Sequence, residues 1–178
     1  MSPRLAVRAN HSSMYDVRRA MQGTVNHQKS INVWGCFSWK GVGDLHWVKG
    51  ILTGPEYRKI LIHHMVPSAN RLNPEGFIFQ QDNDPKHTSN VVKKYLKNKK
   101  IEVMNWPAQS ADLNPIENLW GQLNRLTQDR NPQNENELFQ ILKHAWHSMS
   151  DEYLHNLVES MPSRCKAVIQ SKGWPTKY

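Results

Sequence analysis

Two acids stand out by what surrounds them. Asp82 closes the apolar run Phe77-Ile78-Phe79-Gln80-Gln81 and opens the turn-prone Asp82-Asn83-Asp84-Pro85. It therefore falls at the C-terminal end of an expected strand, the edge at which open α/β sheets place ligands and chemistry. Glu117 falls in the first turn of a helix expected to begin at Asn114-Pro115. The 34 residues between them suffice for one helix and one strand to return the chain to the same sheet edge. Two carboxylates about 4 Å apart repel by roughly 4 kcal/mol at an effective dielectric of 20, so such a pair needs a proton or a cation between its members. Mg2+ suits that place, being a hard ion that prefers carboxylate and phosphate oxygens. Each acid also has a purely architectural reading. Asp-Asn-Asp-Pro is an Asx-turn sequence, and Asn114-Pro115-Ile116-Glu117 reads as N-cap, first helical residue and capping acid.

Around Asp82 the chain is basic. Six lysines and no acid lie between Lys86 and Lys100. The spacing predicts a helix over 88–98 with Val91, Val92, Tyr95 and Leu96 on one face and Lys93, Lys94 and Lys97 on the other. These lysines are either a solvated helix face or a track for DNA phosphates, each contact then adding about one unit to the salt dependence of binding. Lys86 belongs to the same track. His87 is placed either to approach a phosphate of an anionic partner or to cap the following helix. His144 and His147 share a helix without a third ligand at suitable spacing and read as surface residues. His63 and His64 are adjacent, about 100° apart on a helix, and make no ligand pair. Trp34, Trp106 and Trp120 read as core, whereas Trp39 and Trp47 flank a hairpin turn and either pack there or contact bases.

The elements that must position these groups follow from periodicity and punctuation. Ile31–Trp39 and Asp44–Leu52 form a hairpin about the turn residues Lys40-Gly41-Val42-Gly43. A helix covers roughly 55–66 and ends near Pro67, a strand follows at 77–81, and a further strand is expected in Ile101–Trp106. Helices are expected from 114 onward, around 134–149 and over 151–170. With 178 residues, 38% hydrophobic and 21% charged, the chain has the apolar content of a packed domain, which excludes disorder throughout. Lys plus Arg outnumber Asp plus Glu by 23 to 15, a net charge of +8 that suits an anionic partner. Cys36 and Cys165 stand alone, so neither a disulfide framework nor a zinc knuckle is indicated. No apolar run approaches the roughly 18 residues of a membrane span, and the N-terminus lacks a secretory pattern. An intracellular, membrane-free protein is expected.

Three longer stretches carry a resemblance. VWGCFSWKGVGDLHWVKGIL, FIFQQDNDPKHTS and WPAQSADLNPIENLW, in this order, resemble the catalytic domain of mariner-superfamily transposases from about Trp34 to Tyr178, the 34-residue interval included. The resemblance implies an α/β, ribonuclease-H-like mixed sheet flanked by helices. It implies a DDE triad holding two Mg2+ (or Mn2+) ions, with Asp82 as second acid and Glu117 as third. The implied function is DNA transposition and integration by two-metal phosphodiester cleavage and strand transfer. DNA is the implied partner, a homodimer is allowed, and the implied location is nuclear.

Residues 1–30 match the family least. The triad's first aspartate should lie on the first strand, upstream of the hairpin, and none is found. Asp16 is the one upstream acid without another assignment, yet Tyr15-Asp16-Val17-Arg18-Arg19 resembles the segment that follows the catalytic strand. The expectation is therefore a poorly defined segment 1–30 followed by a DDE transposase-like domain 31–178, N-terminally truncated, with the first catalytic strand missing and activity impaired or lost. Either Leu5–Ala9 partly substitutes in the sheet or a gap stays open. The alternative function is a non-catalytic DNA-binding or interaction module derived from a transposase.

Overall fold

The computed structural model describes residues 6–9, 30–107, 110, 113–171 and 176. Asp16 lies outside them. Among the described residues five strands form one sheet: β1 (Ala6–Ala9), β2 (Asn32–Ser38), β3 (Gly41–Val48), β4 (Ile78–Gln80) and β5 (Glu102–Val103), in the order β3-β2-β1-β4-β5. β1 runs antiparallel to β2 and parallel to β4, with Ala6 opposite Ile78 and Arg8 opposite Gln80. The central place is thus filled by the short upstream segment, and no gap remains. The sheet draws on residues before 31, and the strand expected to be missing has a four-residue counterpart.

The hairpin forms as expected, but its turn is Trp39-Lys40, with Ser38 opposite Gly41. Gly41, just after the turn, has a φ of +138°, while two other glycines serve packing. A Cβ on Gly43 would come within 2.4 Å of Cys36 Sγ, and one on Gly35 within 2.9 Å of Trp120. Between the pairs Gly35–Leu45 and Phe37–Val42 the register shifts by one residue in β3. This bulge lets Val42 and Leu45 face the same side of the sheet.

Each face of the sheet carries a layer of helices. α1 (Gly54–Ile60), a π-helical turn (Leu61–Met65), α2 (Val66–Leu72) and α3 (Asn90–Asn98) cover one face, where Trp34 and Cys36 meet Tyr57, Leu61, Met65 and Val92. α4 (Ile116–Thr127), α5 (Glu135–His147) and α6 (Asp151–Glu159) cover the other, where Val33 and Phe37 meet Leu119, Trp120, Leu142 and Trp146. Alternate residues of β2 thus feed opposite cores, as the two-residue period of a strand requires. The indole N–H of Trp146 donates to the buried Gly43 carbonyl at 2.9 Å, tying α5 to the bulge.

Two expected helices differ in extent. The first continues through Pro67 to Leu72, because the π-helical turn widens the spiral and Pro67 becomes the second residue of a new segment, where a missing N–H costs nothing. The last splits at Ser160 into α6 and α7 (Met161–Gln170), with Pro162 in the first turn of the latter. Among the described residues no helix is long and apolar enough to cross a membrane.

Candidate active site

Asp82 lies two residues beyond β4, at the strand's C-terminal end. The residues that follow fold back locally. The Asp84 N–H donates to Asp82 Oδ1 at 3.2 Å, the N–H of His87 bonds to the Asp84 carbonyl, and the Lys86 ammonium sits 2.5 Å from Asp84 Oδ2. Burial alone would raise the Asp84 carboxyl, but the hydrogen bonds and charge of Lys86 outweigh it and hold it below its ordinary value. Lys86 is therefore the partner of Asp84, with only 20% of its side chain exposed.

His87 is fully buried, its Nδ1 2.5 Å from Asp82 Oδ1 and its ring 4.1 Å from the Tyr57 ring. An ionised carboxylate only accepts, so Nδ1–H is the donor. The sequence readings of His87, a phosphate contact or a helix cap, do not include this bond. The ring is fully buried although the residue borders a groove beside Asp82, and α3 starts at Ser89 without a side-chain cap. The Tyr57 hydroxyl donates to Gln81 Oε1 at 2.9 Å, and Gln81 Nε2 donates to the His87 carbonyl at 3.4 Å. Burial first, and the nearby negative charge of Asp82 next, push the Tyr57 phenol well above its ordinary value, so it stays a donor. Tyr57 and Gln81 drew no functional reading from the sequence; Tyr57 lies 24 residues before Gln81 and reads as an ordinary apolar helix position.

Glu117 occupies the first turn of α4 and is half-buried. The turn before it is set by Asn114, whose buried Oδ1 accepts from the Ile116 N–H at 3.4 Å while its carbonyl accepts from the Glu117 N–H. Asn114 therefore caps in the Asx-turn manner, one residue further from the helix than the capping pattern suggested. α4 is anchored by Trp120, stacked 5.1 Å from Trp146.

Beside Asp82 runs a groove of about 540 Å³ bordered by Asn83, Lys93, Lys97 and Met104. Glu117 does not line it. Lys94 does not either: it borders a separate cavity of about 1260 Å³ on the other flank of α3, together with Arg58, Lys99 and Lys100. That larger cavity is floored by Ile62, Val66 and Phe77, with Glu75 and Glu102 also on its lining. The lysine run is thus divided by its helix into two flanks. Among the described residues no group of three or more His, Cys, Asp or Glu is assembled as for a metal ion, and none of the four β1 residues is acidic.

The other aromatic and histidine readings resolve simply. Trp34, Trp106 and Trp120 are buried, and His144 and His147 are exposed. Trp39 stacks on His155 at 4.1 Å and Trp47 lies against Phe139, so both pack.

Comparison with known proteins adds the following. A family model described as DDE superfamily endonuclease matches residues 8–139. The Tcb1 transposase of Caenorhabditis briggsae is 44% identical over 156 residues, and the Tc1 transposase of Caenorhabditis elegans 41% over the same length. Each match covers 87% of this chain and 57% of the relative, so the chain spans less than two thirds of either. The crystal structure of the Mos1 mariner transposase catalytic domain superposes with a TM-score of 0.79 over 97% of this chain and 83% of that one, at 20% identity. The Mos1 strand transfer complex superposes with a TM-score of 0.80 over 97% of this chain and 56% of that one, at 19% identity. The fold is therefore that of the Mos1 catalytic domain, a mixed, ribonuclease-H-like α/β architecture.

Proposed function

The chain belongs to the DDE superfamily of endonucleases, and from that premise we propose that it acts on DNA phosphodiesters, in cleavage and strand transfer during transposition, with Asp82 and Glu117 as its catalytic carboxylates. The observation that carries the proposal is the build of the Asp82 corner: a carboxylate at a strand end, fixed by two donors, beside a groove bordered by two lysines. Paired assembly on DNA, as in the Mos1 paired-end complex, and a nuclear location belong to the same proposal.

The donor chemistry fits a hard divalent cation. Mg2+ commonly takes one or two protein carboxylates and completes its shell with water and substrate phosphate, so Asp82 and Glu117 would hold it from this chain. The Mos1 catalytic domain has been solved with Mn and with Mg, which supports the choice of ion. When bound, such an ion neutralises charge building on phosphate oxygens. The chain's own residues do the rest. The His87 N–H and the Asp84 N–H orient Asp82. Lys93 and Lys97 attract the DNA backbone along the groove. Lys86 neutralises Asp84, sparing the incoming phosphates a third negative charge. Lys94, Lys99 and Lys100 add a long-range attraction from the far flank of α3.

A second reading, a DNA-binding module without strand cutting, is favoured by one observation: the β1 residues are Ala6, Val7, Arg8 and Ala9, so this described strand supplies no carboxylate. Plasmid nicking in Mg2+ or Mn2+ decides between the two. Nicking by the unaltered chain, lost in both Asp82→Asn and Glu117→Gln, is the expected result. Salt-sensitive DNA binding without nicking would replace the first reading by the second, and absence of DNA binding at low salt would overturn both.

A further inference from the structure

Beneath Asp82 lies a cage whose members come from distant parts of the chain. Tyr57 arrives on α1, Gln81 and Asp82 on the end of β4, and His87 on the turn that leads to α3. The Tyr57 ring, tilted 33° to the imidazole at 4.1 Å, limits how far the His87 ring can swing. The Gln81 amide, itself held by the Tyr57 hydroxyl, grips the backbone of His87. From this interior cluster the 2.5 Å contact from Nδ1 to Asp82 Oδ1 reaches outward. A histidine buried for packing alone would turn its N–H to an interior carbonyl. This one turns it to a carboxylate that borders an open groove.

We propose that His87 is a positioning residue for Asp82: its Nδ1–H, immobilised by Tyr57 and Gln81, fixes the carboxylate in the one orientation that presents it to a divalent cation. The proposal rests on the metal-dependent reading of Asp82 above. With Oδ1 held by His87 and by the Asp84 N–H, rotation about the Cβ–Cγ bond is blocked and the carboxylate plane is set before any ion arrives. Hydrogen-bond partners of metal-binding carboxylates act in this way and set affinity as well as geometry.

The test is Mn2+ binding to the whole chain, followed by electron paramagnetic resonance, for wild type, His87→Asn, His87→Leu and Glu117→Gln. Asparagine keeps an N–H donor near the place of Nδ1, and leucine removes it at similar bulk. The expected result is a loss of about 10- to 100-fold in Mn2+ affinity for His87→Leu and retention within about threefold for His87→Asn. Equal affinity in the wild type and His87→Leu, with only the urea midpoint lowered, would overturn the positioning role while leaving the reading of Asp82 intact. No Mn2+ binding by the wild type would overturn both, and Glu117→Gln separates these cases because it weakens binding without touching the cage. Should His87→Leu fail to fold, Tyr57→Phe carries the same test through the freed Gln81, with a loss of about 10-fold expected and retention within about threefold contradicting the proposal. Nitrogen-15 spectra of the imidazole give an independent readout: the Nδ1–H tautomer is expected for His87, and the Nε2–H tautomer would overturn the proposal.

Discussion

The Asp82–His87 pair and the Asp44–His64 pair use the same two side chains at different depths. In the first, the histidine is fully buried and the acid 12% exposed, at 2.5 Å. In the second, His64 is 27% and Asp44 43% exposed, at 3.1 Å. The first pair closes within five residues at a strand end; the second joins the β3 bulge to the π-helical turn across 20 residues. His64 also lies against His46, ring to ring at 4.2 Å. The difference shows what depth does. Water competes for both partners of the outer pair and leaves it worth little, whereas burial shields the inner pair from that competition. A bond of that kind specifies an orientation, which a metal-binding carboxylate needs and a surface acid does not.

The largest effect expected from this contrast is on stability. His87→Ala should cost about 2–4 kcal/mol in urea unfolding, from the cavity and the lost buried hydrogen bond, while His64→Ala should cost about 0.2–1 kcal/mol, as exposed pairs do. Equal costs would break the comparison. Next comes pH. Burial first, and His64 next, push His46 down to about 4 from an ordinary 6.5. The folded chain therefore keeps His46 neutral where the unfolded chain takes up a proton. Unfolding binds protons between pH 6.5 and 4, so this histidine's contribution to stability falls as the pH is lowered through that window. Melting temperatures across the window should show a shallower fall in His46→Gln than in the unaltered chain. The smallest effect concerns DNA. Lys93→Ala with Lys97→Ala should lower the salt slope of DNA binding by about two units and reduce nicking, whereas Lys94→Ala with Lys99→Ala should lower the slope by a similar amount with nicking at saturating DNA unchanged. Identical behaviour of the two doubles would mean that α3 does not divide its lysines by function.

The same contrast explains how much was legible beforehand. Asp82 at a strand end, and Glu117 in a first helical turn, are local facts, written in apolar runs and turn residues. So are the hairpin, α3, α4 and the burial of Trp34 and Trp120. The cage was not legible, because Tyr57 meets Gln81 only once α1 has folded over the sheet. The central strand was legible only as one of two outcomes, Leu5–Ala9 in the sheet or a gap. Ala-Val-Arg-Ala has no periodicity of its own, and its place comes from β2 and β4, each of which would otherwise carry an unpaired edge. The extension of the first helix past Pro67 depended on a π-helical turn that no residue type announces.

The central claim is that Asp82 and Glu117 serve one cation. Crystals of the chain soaked in Mn2+ test it most directly, through the anomalous scattering of the ion. The account predicts a peak bound by both carboxylates, lost in Asp82→Asn. A peak on one carboxylate alone, or none at either, would contradict it.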